Sequence, residues 1–332
     1  YNLDLACTRK EYYPYPGALP EVEKTKIFED LFRRDFTVNA LALNLSPEHW
    51  GELLDFFQGR KDLKQKKLRV MHRFSFLDDP TRIIRGIRLS IKLGFEIESE
   101  TSRLMKEALN MGNFAKLSSS RLLTALKNLF KNKINENFLK KIKKFNIFKL
   151  IDIEIEISEN KISNLKTLEY YLEFFAKKEY NIKSWVLRFS LFLNNNYPEK
   201  LFNDWNLTGK EKELLNTDHI KNEINKLKNS SELEIFEFIN NNSIEKIIMI
   251  MTKIENTSLK EDIFSILNNK NDFELKIDGY DLQNLGLEPG PIIKVILNKI
   301  LQTKIDGKIN SREEELQLAK RFINEINNQG SV

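Results

Sequence analysis

The sequence predicts an α+β chain: a short mixed segment of few strands, then a long all-helical array. Three observations predict it. The first seventy or so residues are broken by turn formers, with three prolines and a glycine inside "YYPYPGALPEVEK". From Asp78 onward apolar residues recur at helical spacing, as in Ile83, Ile87, Ile91 and Leu122, Leu126, Phe130. Proline is absent from residue 81 to residue 197, so nothing there breaks a helix by ring geometry.

Taken in order, residues 1 to 11 alternate Leu3, Leu5 and Cys7, the period of a strand. The proline-rich stretch that follows is expected to be loop throughout. "FEDLFRRDFTVNALALNL" reads as a helix passing into a strand, and "GELLDFFQGRKDLKQKKLRVM" as a short strand, a glycine turn and a short helix. After Asp78 almost no strand signal is left until about residue 270. The helical periods continue through Leu168, Leu172, Phe175 and Ile235, Phe238, Ile239. The Asn clusters "NNNYPE" and "NNNS" mark loops. Alternating Asp152, Glu154 and Glu156 read as a solvated edge. Tyr1 is not Met and the opening reads as a strand in progress, so the chain is expected to begin inside a domain.

Composition narrows the class. At 332 residues, with 41% hydrophobic and 30% charged, the chain has material for two or three cores. Its apolar runs reach about five residues, as in Ile247 to Met251, against roughly 20 for a membrane span. The single cysteine, Cys7, rules out an internal disulfide and fits a reducing cytoplasm. One Cys and three scattered His do not build the usual zinc sites. The net charge of +5 is unevenly spread: nine bases and one acid, Glu136, fall between Arg121 and Lys149. Arg121, Lys127, Lys140, Lys141 and Lys144 of this stretch are candidate contacts to an RNA phosphate backbone. A plain solvated face is the competing reading.

The stretch "DDPTRIIRGIRLSIKLGF", residues 78–95, carries the most chemistry. Asp is a favoured N-cap and Pro a favoured first helical residue, so Asp79 is expected to cap a helix beginning at Pro80. Asp79 and Arg82 then lie side by side, with Arg85 and Arg88 continuing the row. An Asp acceptor beside a forked Arg donor matches a base edge that shows an amine next to an unprotonated ring nitrogen. Cytosine and adenine show that edge; guanine and uracil show a carbonyl next to a ring N–H. The pair could therefore accept C and A and reject G and U, with Arg85 and Arg88 on a triphosphate. In "RRDFTVNALA", Arg34 suits a phosphate or ribose and Asp35 a ribose hydroxyl.

"EDLFRRDFTVNALAL", "LLDFFQGRKDLKQKKLRVMH" and "FSFLDDPTRIIRGIRLSIKLGFEIE", in this order and spacing, resemble class II tRNA nucleotidyltransferases and the related poly(A) polymerases. The Pro-Gly-Ala form of the opening loop looks most like the A-adding branch. The stretch "IDGYDLQNLGLEPGPIIKVILNKI" resembles the family's C-terminal region. The resemblance implies a partial nucleotidyltransferase head over residues 1–57. It implies a nucleotide-selecting neck over 58–145, a helical body over 146–270 and a helical tail over 271–332. It implies addition of A, or of C and A, to tRNA 3′ ends from ATP, with CTP as the second candidate, and Mg²⁺ as cofactor. Arg34, Asp79, Arg82, Arg85 and Arg88 match the nucleotide-binding positions, and Asp35 a ribose contact.

Two departures qualify the match. The family's glycine turn with an Asp-x-Asp pair, which two-metal transfer needs, is not found. No metal ligand is therefore expected on this chain, Asp4 is at most an accessory carboxylate, and the missing head segment is expected before Tyr1 or on a separate chain. The family also commonly has Glu four residues after the arginine at 121, where this chain has Ala125. The alternatives are a poly(A) polymerase and a non-catalytic tRNA- or nucleotide-binding module. A metal-dependent phosphohydrolase is excluded because the only Asp-His neighbours, Asp218 and His219, stand in reverse order.

Overall fold

A computed structural model of the chain describes residues 3–112, 114, 117–193 and 199–329. The chain divides into two compact units, residues 1–217 and 218–332.

The first unit opens on a two-stranded antiparallel hairpin, β1 (Arg9–Tyr12) with β2 (Glu21–Lys24). This corrects two expectations. Residues 3–8 are not in a strand, and the proline-rich stretch is not loop throughout. Alternation alone did not decide. A strand forms where a partner exists, and Lys10 sits opposite Glu23 with their charges 2.8 Å apart. The prolines occupy the connection, where Gly17 adopts φ +75°.

Helix α1 (Ile27–Phe32) follows, then two-residue strands β3 (Ala42–Leu43) and β4 (Leu53–Leu54), and helix α2 (Gly59–Gln65). This is the helix-then-strand and strand-turn-helix order expected. Strand β5 (Lys67–Leu68) pairs in parallel with β6 (Glu96–Ile97), a strand that the helical periodicity around it conceals. Between them run α3 (Ser75–Asp78) and α4 (Thr81–Leu93). Helices α5 (Ser99–Met111), α6 (Ser119–Phe130), α7 (Glu136–Phe145), α8 (Glu159–Ala176), α9 (Ser184–Ser190), α10 (Glu199–Asp204) and α11 (Gly209–Leu215) complete the unit.

Helix α4 positions the site, and its packing explains how. Its apolar face buries Ile83, Ile84 and Ile87. Gly86 lies directly against Phe36 and Met105, and an added Cβ would come within 2.6 Å of each. The absent side chain lets Phe36 seat on the helix. The neighbouring residue, Asp35, is thereby brought to the polar face of α4. Helix α4 also packs on α6. Beyond it, Phe130, Phe138, Phe148, Phe189 and Phe192 form a continuous aromatic core with ring centroids 5.2–6.3 Å apart. Asp152, Glu154 and Glu156 lie outside any strand, as the solvated reading expects. The "NNNYPE" cluster lies almost wholly outside the described residues.

The second unit holds α12 (Thr217–Leu227), α13 (Glu232–Asn241), α14 (Ile244–Lys253), α15 (Thr257–Asn268), α16 (Lys270–Phe273), α17 (Gly279–Asn284), α18 (Pro291–Ile305) and α19 (Arg312–Gln329). The "NNNS" cluster is the turn between α13 and α14. Pro291 opens α18 directly after Gly290, and Gly286 before it takes φ +93°. Ile277, Leu282, Ile296, Ile300, Ala319 and Ile323 form the core beneath these last helices. A buried ion pair joins α18 to α19, Lys304 Nζ to Glu315 Oε1 at 2.6 Å. Among the described residues no helix is long and apolar enough to cross a membrane.

Candidate functional site

The first unit contains a cleft of about 820 Å³ walled by the β1–β2 hairpin, the segment after α1, the polar face of α4 and the start of α6. Seven arginines line it: Arg9, Arg33, Arg34, Arg82, Arg85, Arg88 and Arg121. They face three acids, Glu11, Asp35 and Asp79. The excess of four positive charges in one concavity draws anions.

The regular helix α4 starts at Thr81 with Pro80 at its N-cap position, one residue later than expected, and Asp79 supports the first turn from the residue before. Its own backbone is extended, at φ −138° and ψ 94°. Oδ1 accepts the Thr81 backbone N–H at 3.0 Å and the Thr81 hydroxyl at 2.6 Å. Oδ2 lies 2.7 Å from Arg121 Nη2. The charge partner of Asp79 is thus Arg121, not Arg82. Side-by-side placement on a helix did not produce an Asp79–Arg82 ion pair, because Arg82 finds better-placed acceptors beneath it. Arg82 is 5% exposed and donates Nη1 to Ser75 Oγ at 2.6 Å. Its Nη2 donates to the Arg33 carbonyl at 2.7 Å and to the Tyr13 hydroxyl at 3.4 Å. All three acceptors are neutral, so its charge is not cancelled by a direct acid contact. Tyr13 donates in turn to Glu11 Oε2 at 2.9 Å, and burial pushes its hydroxyl up to about 12, keeping it protonated.

Arg85 lies over Asp35, with Nε and Nη2 at 2.8 and 2.7 Å from Oδ2. Oδ1 of Asp35 accepts from the Phe36 N–H at 3.0 Å and the Asn39 amide at 2.9 Å. Burial alone would raise the Asp35 pKa, but Arg85 and these hydrogen bonds outweigh it and hold the carboxyl below its ordinary range. Arg34 donates to the Asn39 carbonyl at 3.1 Å and to Asp30 at 3.3 Å, and remains partly open to the cleft. Asp30 also grips Arg33, which reaches Glu11 at 2.8 Å. Arg88 lines the same wall with no acid against it among the described residues.

The structure therefore gathers Arg34, Asp35, Asp79, Arg82, Arg85 and Arg88 at one cleft. It places others elsewhere. Asp4 is exposed, lies in no strand and does not line the cleft. Arg121 faces the cleft instead of the open basic surface. Lys127 turns inward, 4.6 Å from the Trp185 ring and 3.6 Å from Glu211. Lys140 is exposed and pairs with Glu136 at 3.6 Å. Lys144 stands over the Phe145 ring, and burial with the Lys144 charge depresses the Lys141 pKa. Sequence reasoning did not mark Arg9, Glu11, Tyr13, Arg33 or Asn39. Arg33 was available in "RRD", and Ser120, Thr124 and Asn128 form a polar stripe at steps of four along α6. Glu11 and Tyr13 reach the site by hairpin geometry that no local pattern announces. Ala125, where a Glu was expected, lines the cleft and adds no acid to it.

Divalent metal is generally used by proteins of the resembled family, and the cleft tests whether these residues fit it. Asp35 and Asp79 each already face an arginine, and Glu11 faces Arg9 and Arg33. Among the described residues no group of three acidic, His or Cys side chains gathers to hold an ion. These residues do not fit a metal pair.

A helical wall and a hairpin wall close on an arginine-rich cleft whose charge suits a polyanionic small ligand. Residues 1–69 match the poly A polymerase head domain. An A-adding tRNA nucleotidyltransferase from Geobacter sulfurreducens is 29% identical over 97% of this chain, which spans 38% of that relative's length. Among solved structures, a CCA-adding enzyme in an apo form has a TM-score of 0.79 at 28% identity, covering 94% of this chain and 75% of its own. The Thermotoga maritima CCA-adding enzyme complexed with tRNA has a TM-score of 0.76 at 26% identity, covering 96% and 82%. Over nearly its full length the chain is thus similar to A-adding and CCA-adding tRNA nucleotidyltransferases.

Proposed function

We propose that this chain serves a tRNA nucleotidyltransferase that adds A, or C and A, to tRNA 3′ ends from ATP or CTP, and that its cleft selects the incoming nucleotide. The observation that carries the reading is the neutral holding of Arg82 next to the arginine-oriented carboxylate of Asp79. Arg82 offers a donor whose charge no acid quenches by contact. Asp79 offers an acceptor that cannot rotate away. Together they suit the amine and bare ring nitrogen of cytosine or adenine and oppose guanine and uracil.

Arg34, Arg85 and Arg88 provide charge for the triphosphate. Asp35, filled by four donors, orients Arg85 in this reading, in place of the ribose contact that resemblance implies. Transfer to a 3′-hydroxyl with release of pyrophosphate is the reaction that similarity to these enzymes favours. Mg²⁺ is the cofactor it would take, held by residues other than those of this cleft. The acceptor end of tRNA would approach by backbone and shape contacts along the basic helices, with Lys140 and Lys144 the best-placed of the candidate phosphate contacts.

Equilibrium titration tests the reading. The protein should bind ATP and CTP more tightly than GTP and UTP, and a tRNA lacking its 3′-terminal A more tightly than oligo(A). Equal binding of all four nucleotides would overturn the selection. Preference for oligo(A) would move the assignment to a poly(A) polymerase.

A further inference from the structure

We propose that a groove beside α6, α8 and α9 is a second ligand site, and that it takes single-stranded RNA, with phosphates on its lysines and unstacked bases on Tyr170 and Tyr180. The groove holds about 380 Å³ and is lined by Lys131, Lys133, Glu173, Tyr180 and the buried pair Glu169 and Arg188. That pair is spent on the fold. Arg188 donates Nε and Nη2 to the two Glu169 oxygens at 2.6 and 2.8 Å, and Nη1 to the Phe130 and Lys131 carbonyls at 3.2 and 3.0 Å. Glu169 also accepts the Ile134 N–H at 2.9 Å. These bonds tie the end of α6 to α8 and α9, so the groove has its shape before a ligand enters and binding orders little. Charge is left at the rim. Lys133 pairs with Glu173, but Lys131 is exposed with no acid against it among the described residues. Lys177 and Lys178 follow directly after α8, beside one acid, Glu179.

Aromatic rings flank these lysines. Tyr180 is 41% exposed and is braced at 87° on the buried Phe175 ring, 5.6 Å away. On the adjoining face of α8, Lys166, Tyr170, Phe174 and Lys178 recur at steps of four and so stand in one row. Tyr170 is 58% exposed and stacks on half-buried Phe174 at 6.4 Å, and Lys178 Nζ lies 5.1 Å from the centre of the Phe174 ring. A cationic groove for a backbone with rings beside it for bases is the pattern that holds single strands, since every base has a face to stack. A duplex keeps those faces to itself. A protein partner would have to bring acids and an apolar face together. The position on α6 also favours RNA: Asn128 lines the nucleotide cleft, and Lys131 lines the groove three residues on, about 4.5 Å of helix rise away. A strand ending in the cleft meets this groove next along α6. That continuity, unlike the binding itself, rests on reading the cleft as the nucleotide site.

Fluorescence anisotropy of labelled single-stranded oligo(A), and of an abasic strand of equal length, tests the site across a salt series. The proteins are the wild-type chain, Tyr170→Ala, Tyr180→Ala and Lys131→Gln. Each tyrosine variant should bind oligo(A) about five- to a hundred-fold more weakly with an unchanged salt slope, and the abasic strand within about two-fold of wild type. Lys131→Gln should weaken both strands and make the salt slope shallower by about 0.7, the share of one phosphate. ATP affinity should stay within about two-fold in all three. If Tyr180→Ala unfolds, exposed Tyr170 and Lys131 carry the test. Oligo(A) affinity unchanged in Tyr170→Ala and Lys131→Gln overturns the proposal. Equal losses for the abasic strand in the tyrosine variants refute stacking. A wild-type dimer in sedimentation that Tyr170→Ala dissociates, with oligo(A) binding unchanged, would make the face a contact between copies and also refute the proposal. The expected losses in a chain with no preference among the four nucleotides would leave this site standing and sink the reading of the cleft instead.

Discussion

Replacing Asp79 by Asn preserves the shape of the side chain and removes its charge. Asn is as good an N-cap as Asp, so the bond from the Thr81 N–H survives and α4 keeps its start. What is lost is the charge facing Arg121 Nη2 at 2.7 Å. The two side chains are 14% and 23% exposed, between the open pairs worth about 0–1 kcal/mol and the sealed ones whose rupture costs about 3–5 kcal/mol. A loss of about 1–3 kcal/mol in stability is expected, read as a lower urea midpoint at unchanged slope. Selectivity should move further than stability. The Asn amide can turn a donor toward a guanine or uracil carbonyl and withdraw an acceptor from an adenine amine. A hydrogen bond to a charged group is worth about 1.5–3 kcal/mol, so ATP affinity should fall about ten- to a hundred-fold, while GTP holds or improves. Competition titration of the four nucleotides checks both. A variant that loses the stability but keeps the full preference for ATP over GTP would show that Asp79 is a helix cap and ion-pair partner only.

Gly86→Ala should destabilise the first unit by about 1–3 kcal/mol despite the better helix propensity of Ala, since its Cβ meets Phe36 and Met105 at 2.6 Å; differential scanning calorimetry measures it. In the second unit, Lys304→Met strands the sealed Glu315 carboxylate and should cost about 3–5 kcal/mol, whereas adding Glu315→Leu should recover most of it in denaturant titrations. Burial, with Arg82 adding to it, holds the His72 imidazole down to about 4. The unfolded chain takes up that proton near 6.5 and the folded one does not, so stability is complete above about pH 6.5 and is lost as pH falls from there to 4. His72→Gln should flatten the urea midpoint across that window; an identical acid slope in the variant would remove His72 as the cause.

Much of this was legible, for identifiable reasons. Asp79, Pro80 and the Arg82–Arg88 row are governed by capping and helical period, both local, and they appear within one residue of where those rules put them. The helical array was legible because apolar spacing at 3.6 residues repeats over long stretches. Partnership was not legible. Arg121 stands 42 residues beyond Asp79 and Tyr13 lies 69 before Arg82, and their meetings depend on how a hairpin turn packs between two helices. The same holds for β2 and β6. Glu21–Lys24 is a strand because Arg9–Tyr12 lies alongside it, and two residues at Glu96 and Ile97 pair with β5 inside a helical context. Lys127 shows the limit of charge counting: a base in a basic run turned to an aromatic ring and a buried acid.

The distribution of charge within the cleft separates its two tasks. Every acid there faces an arginine: Glu11 meets Arg33, Asp35 meets Arg85 and Asp79 meets Arg121. Each such pair fixes a guanidinium or a carboxylate in direction while cancelling most of its field. Among the described residues Arg82 and Arg88 have no direct acid partner, the first buried and the second half-buried. A ligand entering the cleft therefore meets an oriented acceptor at Asp79, an oriented donor at Arg82 and unspent charge at Arg88. Had the expected Glu stood at Ala125, an acid would line the same cleft as Arg82 and dilute the charge left for the ligand. The alanine leaves orientation to neutral acceptors, Ser75, Tyr13 and the Arg33 carbonyl, and keeps the charge for what binds.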